Sequence, residues 1–145
     1  MHPKSRNKFV KRMREILNRK CPRGIQNTRK AYNTILTGWF NYFKIGISKS
    51  TMETEDAWLR RRIRQIYVVA WKRNYTCFKN LMRLTNNKME SRCRMVSFTS
   101  LGKWAKAKHL NYILTNKLLE KELEWKSVAS LYIANKECNK TGIYV

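Results

Sequence analysis

Four arginines fall within five residues in the run Asp56-Ala57-Trp58-Leu59-Arg60-Arg61-Arg62-Ile63-Arg64, and Trp71-Lys72-Arg73 continues the basic character further on. A guanidinium donates two parallel hydrogen bonds to a phosphate and stacks its flat face on bases or aromatic rings. On a helix this spacing makes a wide cationic band. Arg60, Arg61, Arg64, Lys72 and Arg73 are the first-choice phosphate contacts, and Arg29, Lys30 and Lys44 the second. Lys11, Arg12, Lys49, Arg92 and Arg94 widen the basic surface. A charged run is ordinarily just a solvated face. Here few acids are present to neutralise it: up to Leu110 there are 27 Lys and Arg against 5 Asp and Glu, and 5 against 4 thereafter. A net charge of +23 on 145 residues repels itself in the compact state, and a polyanion relieves it. Counterion release adds affinity when the polyanion is a phosphate backbone. The implied partner is a nucleic acid, with RNA weakly favoured because neither helix-turn-helix nor zinc-finger spacing is evident.

Residues for catalysis are scarce. The single aspartate, Asp56, is accounted for by an acidic helix start, whereas two-metal phosphoryl transfer gathers several carboxylates around cations. Glu120, Glu122 and Glu124 alternate along a helix and so face different ways. Cys21, Cys77, Cys93 and Cys138 are scattered, without a C-x-x-C pair, and the two histidines are His2 and His109. That pattern calls for neither a metal site nor a nucleophile–base pair, and it fits reduced cysteines inside a cell. No cofactor is expected. No apolar run reaches the ~18 residues of a membrane span, and no signal-peptide core follows Met1. The expected compartment is the bacterial cytoplasm or an organellar matrix or stroma, not secretion. A membrane-surface role is disfavoured because the basic groups are not confined to one amphipathic face.

The elements that must position these residues read as helices, with five Gly and two Pro in the whole chain. Phe9, Met13, Ile16 and Leu17 space a first helix from about Ser5 to Arg19, stopped by Pro22 and Gly24. Tyr32, Ile35, Leu36, Trp39 and Phe43 mark a second helix from near Gln26 to Ile45. Phe40 and Tyr42 widen its stripe, so it reads as the central helix of a bundle. Gly38 within it suggests the close approach of a neighbour. Ser50-Thr51-Met52-Glu53 has capping-box spacing and opens a third helix to about Arg73. Glu53, Glu55 and Asp56 suit the positive end of that helix. Leu59, Ile63, Ile66 and Ala70 form its core stripe, with Arg60, Arg61 and Arg64 on the other side. Trp58 and Trp71, like Trp39, Tyr42 and Phe43, read as packing before base stacking.

Shorter pieces follow. Phe78 to Leu84 is a brief helix broken at Thr85-Asn86-Asn87, and Ser100 caps another through Trp104. Leu110, Leu114, Leu118 and Leu119 mark a further amphipathic helix, Val128 to Tyr132 a last turn or two, and a polar, fraying tail starts at Asn135. The fold class is all-α: a bundle of three longer helices, then several shorter ones. The expected organisation is a three-helix core over residues 1–74, a smaller helical extension over 75–134 and a tail over 135–145.

Several separate motifs are similar to one family. His2-Pro3-Lys4-Ser5, Arg23-Gly24-Ile25 and Leu36-Thr37-Gly38-Trp39-Phe40-Asn41-Tyr42-Phe43 resemble the maturase-specific region of group II intron reverse transcriptases, whose most recognisable block is L-x-G-W-x-N-Y-F. The W-x-R-R-R-x-R helix from Trp58 to Arg64, the step Trp71-Lys72-Arg73, and Leu114-Thr115-Asn116-Lys117-Leu118-Leu119 follow in the family's order. The resemblance spans about residues 2–132 and is poorly kept over Met89 to Ser100. It implies the thumb, or domain X, of such an enzyme. That helical part helps clamp the template–primer duplex and binds intron RNA so that it folds and splices. The palm's paired aspartates and the downstream DNA-binding and endonuclease modules have no counterpart here. Met1 falls where a full-length relative is in mid-chain, as in a remnant, a fragment or one half of a split protein. The expected function is therefore intron-RNA binding in support of splicing, without catalysis on this chain. The alternative is a thumb subunit completed in trans by a separate palm chain, and a third reading is a general basic RNA chaperone. Replacing Arg60, Arg61 and Arg64 together by Ala is expected to weaken RNA binding without unfolding the protein.

Overall fold

Helix starts follow local chemistry more closely than helix patterns alone suggested. The computed structural model describes residues 2–18, 20–71, 73–86 and 108–141. Every regular element among them is a helix, as expected for an all-α chain. α1 (Pro3–Ile16) begins ahead of Ser5, because Pro3 occupies a first-turn position whose N–H needs no partner. The His2 ring accepts from the Lys4 amide at 3.2 Å and caps it. α2 (Ile25–Phe43) follows Gly24, whose φ of 76° is open to glycine without strain.

α3 (Lys49–Trp71) also starts early. Its cap is Ser48, whose hydroxyl accepts from the Thr51 amide at 3.3 Å, so the expected box at Ser50 and Glu53 is not the one used. Glu55 and Asp56 thereby lie beyond the first turn. They are buried rather than facing solvent at a helix end. α4 (Asn74–Leu84) ends before Asn86, which takes a φ of 48°. The single helix expected around Leu110 to Leu119 is two: α5 (Lys108–Ile113) and α6 (Asn116–Lys121). Thr115 breaks them apart by capping α6, its hydroxyl accepting from Leu118 N at 3.2 Å. α7 (Val128–Thr141) runs through the segment read as a fraying tail and equals α1 in length.

The central helix is α3, not α2. One apolar cluster joins Phe9 and Met13 of α1 with Leu17 just past its end, Tyr32, Leu36 and Phe40 of α2, and Leu59, Ile63, Ile66 and Tyr67 of α3 to Leu119, Trp125 and Val128. A second lies on the opposite flank of α3, where Val68 meets Cys77, Leu81, Leu110, Ile113 and Leu114. Among the described residues nothing covers the outer side of α2. Tyr42 is 81% exposed there, about 120° around the helix from buried Leu36, instead of widening the core stripe. Among the described residues a Cβ at Gly38 would meet nothing within 4 Å, so none of them approaches it closely. Ala70 is exposed too, Tyr67 and Trp71 taking the packing positions at that end of α3. Trp39 is half-buried and stacks on Phe9 with ring centroids 4.0 Å apart. Among the described residues no helix is long and apolar enough to cross a membrane. The short helix expected from Ser100 through Trp104 lies outside them.

Candidate nucleic-acid interface

The arginine run sits on the middle of α3, where two packed layers compete for its side chains. Arg64 does not face away from the core. It is 8% exposed, and its Nε donates to the Leu114 carbonyl at 3.0 Å while Nη2 donates to Asn116 Oδ1 at 3.0 Å. The break between α5 and α6 is what frees that carbonyl, since a continuous helix would have used it internally. Burial first, and then the nearby Arg60 charge, bring the Arg64 pKa down to about 10, with Asp56 opposing. The group is still cationic at neutral pH.

Arg60 is also engaged. It pairs one helical turn back with Asp56, which is fully buried. Asp56 Oδ1 accepts from the Ser127 hydroxyl at 2.9 Å and from the Val128 amide at 2.8 Å. The lone aspartate thus ties α3 to the first turn of α7, and Arg60 closes on its other oxygen. Glu55, equally buried, is gripped by Arg6 of α1. The expectation that Arg60, Arg61 and Arg64 can be replaced together without unfolding the protein treated all three as surface charge, whereas two of them are tied into the fold. Arg61 differs: it is half-buried, and its Nε has no hydrogen-bond partner among the described residues.

Arg60, Arg61 and Arg64 do come together. With Ala57, Asn111, Thr115 and Asn116 they line one cleft of about 660 Å³ between α3 and the α5–α6 segment. Among the described residues no carboxylate is in that lining. Arg60 is neutralised by Asp56, so two guanidinium charges face the cleft unopposed, flanked by amide and hydroxyl groups. Such a wall accepts oxyanions.

The remaining expected contacts are dispersed. Arg73 is exposed at the start of α4, and Lys72 lies outside the described residues, as do Arg92 and Arg94. Lys30 is exposed on α2, and Lys44 is half-buried at its end. Arg29 is turned toward the loop before α7, donating to the Leu123 carbonyl at 3.2 Å and pairing with Glu124 at 2.9 Å. Asn33 fastens the same loop, donating to the Glu124 carbonyl at 2.8 Å and accepting from the Lys126 amide at 2.9 Å. Asn33 and Asn111 could not be told in sequence from surface polar residues, whereas Thr115 and Asn116 stood in a motif shared with the family, with no sign that they line a cleft. Among the described residues no group of three or more His, Cys, Asp or Glu side chains could hold a metal.

With that geometry in view, the profile of the family described as Group II intron, maturase-specific domain, matches residues 6–85, more than half of the chain. The chain belongs to that family. The matched stretch contains most of α1 and all of α2 to α4, including the whole arginine run on α3. The resemblance read from the motifs is borne out over residues 6–85, and the function is related to that of group II intron maturases. No curated protein matches the chain.

Proposed function

We propose that this domain binds group II intron RNA and assists its folding and splicing, with no polymerase chemistry of its own. The observation that carries the reading is the family match over residues 6–85, which encloses the helix whose unopposed guanidiniums line the cleft. Arg61 is the foremost phosphate contact, because it lines the cleft and is held by no ion pair among the described residues. Arg64 contributes a fixed positive charge whose position the fold maintains, whereas the charge of Arg60 is balanced by Asp56. Exposed Lys30 and Arg73 extend the footprint.

The test is binding of the purified chain to a folded group II intron transcript across a salt series. Arg61→Ala is expected to lower affinity and flatten the slope of log K against log salt by about 1, with stability unchanged. Equal affinity at matched salt would remove Arg61 from the interface. Bulk RNA competing as well as intron RNA would replace intron preference with general chaperone binding.

A further inference from the structure

Gln65 is buried to 8% exposure, yet its Oε1 meets no donor among the described residues. An unsatisfied buried acceptor costs stability that Leu or Met of similar length would not, so this carboxamide is a poor choice for packing alone. It lies one turn beyond Arg61, and with Trp58, Arg61 and Arg62 it lines a cavity of about 230 Å³. Trp58, Arg61 and Arg62 are half-buried, so the cavity reaches the surface. The Trp58 ring is braced from α1, the Arg14 guanidinium carbon standing 5.9 Å from its centroid. Arg61 lines both this cavity and the oxyanion-accepting cleft, which makes the two adjoining compartments of one surface.

The combination has a specific chemistry. An indole gives a flat apolar wall, the carboxamide carries an acceptor and a donor at fixed spacing, and the half-buried Arg61 side chain brings a guanidinium to the rim. Unpaired RNA bases are recognised in this way, by stacking on an aromatic or guanidinium face and hydrogen bonding along the base edge. The cavity is smaller than the ~300–1,000 Å³ of a drug-sized ligand site, and fits one ring system rather than a whole nucleotide. We propose that it receives the base of a single unstacked RNA nucleotide beside Trp58 and Gln65, whose phosphate lies in the neighbouring Arg60–Arg61–Arg64 cleft. This rests on the RNA-binding reading and deepens it, from phosphate attraction to recognition of an unpaired position.

Two fluorescent RNA hairpins, one fully paired and one with a single bulged nucleotide, separate the possibilities. The intact chain is expected to bind the bulged hairpin about tenfold more tightly. Gln65→Met is expected to abolish that preference while leaving paired-hairpin affinity, salt slope and melting temperature no lower than before. In the unaltered protein, a 5-iodouridine at the bulge is expected to photo-cross-link to the peptide carrying Trp58, which requires no variant. Equal wild-type affinity for the two hairpins, a preference that survives Gln65→Met, or cross-links confined to other peptides would each mean that the cavity holds water only. Binding of both hairpins equally sinks the pocket and leaves RNA binding standing, whereas failure to bind either overturns both.

Discussion

Arg64 on α3 and Lys11 on α1 carry the same formal charge, in two regions that use it in opposite ways. The outer side of α1 presents Lys4, Lys8 and Lys11 to solvent, and none has an ion pair among the described residues. The middle of α3 binds its charges into the fold: Arg64 closes a helix break, and Arg60 balances a buried aspartate that caps α7. The contrast teaches that a basic run is two populations. Charges at a helix exterior are available to a polyanion without structural consequence. Charges between layers first satisfy the protein's own orphan groups and then present whatever field remains.

The sharpest way to break this comparison is at Asp56. Asp56→Ala should cost about 3–5 kcal/mol in urea unfolding, because it strands Arg60 and uncaps α7 together. Asp56→Asn, which keeps an acceptor for Ser127 and Val128, should lose less. A near-neutral Asp56→Ala would mean that the aspartate is ordinary surface charge after all. Arg64→Ala comes next, at about 1–3 kcal/mol, since it leaves the buried Leu114 carbonyl without a donor. Gly38→Ala should instead stabilise by about 1 kcal/mol, visible as a raised melting temperature, because the added methyl meets open space on a helical residue. The smallest effect on stability belongs to Lys8→Gln with Lys11→Gln, within ~0.5 kcal/mol of the parent. The same pair should lower the salt slope of RNA binding by roughly 0.7–0.9 per charge removed. Appreciable unfolding in that pair would erase the distinction between the two regions.

Much of the architecture was legible because helical periodicity is local. Phe9, Met13 and Leu17 were recognisable as one stripe and are all buried, and the breaks after Leu17 and Leu84 fall where turn-forming residues stand. Misreadings arose where a distant partner decided the outcome. Tyr42 has the chemistry of a core residue but lies on the side of α2 that no helix covers among the described residues. Trp125, fully buried against Tyr32 and bonded through its indole N–H to the Tyr67 hydroxyl at 2.9 Å, is flanked by Glu124 and Lys126 and carries no periodic signal. Gln65 reads as one more polar residue beside an arginine run, and only its burial reveals the unsatisfied acceptor.

The amino-acid order alone therefore determined a helical chain with a large excess of cations and the motifs of its family, since propensity, spacing and charge are properties of neighbouring residues. Which arginines are committed and which are available was decided by tertiary structure. The groups that hold Arg64 lie 50 and 52 residues away, and the hydroxyl on Asp56 lies 71 away. A buried polar group must find a partner wherever the fold supplies one, and that supply exists only after the helices have packed.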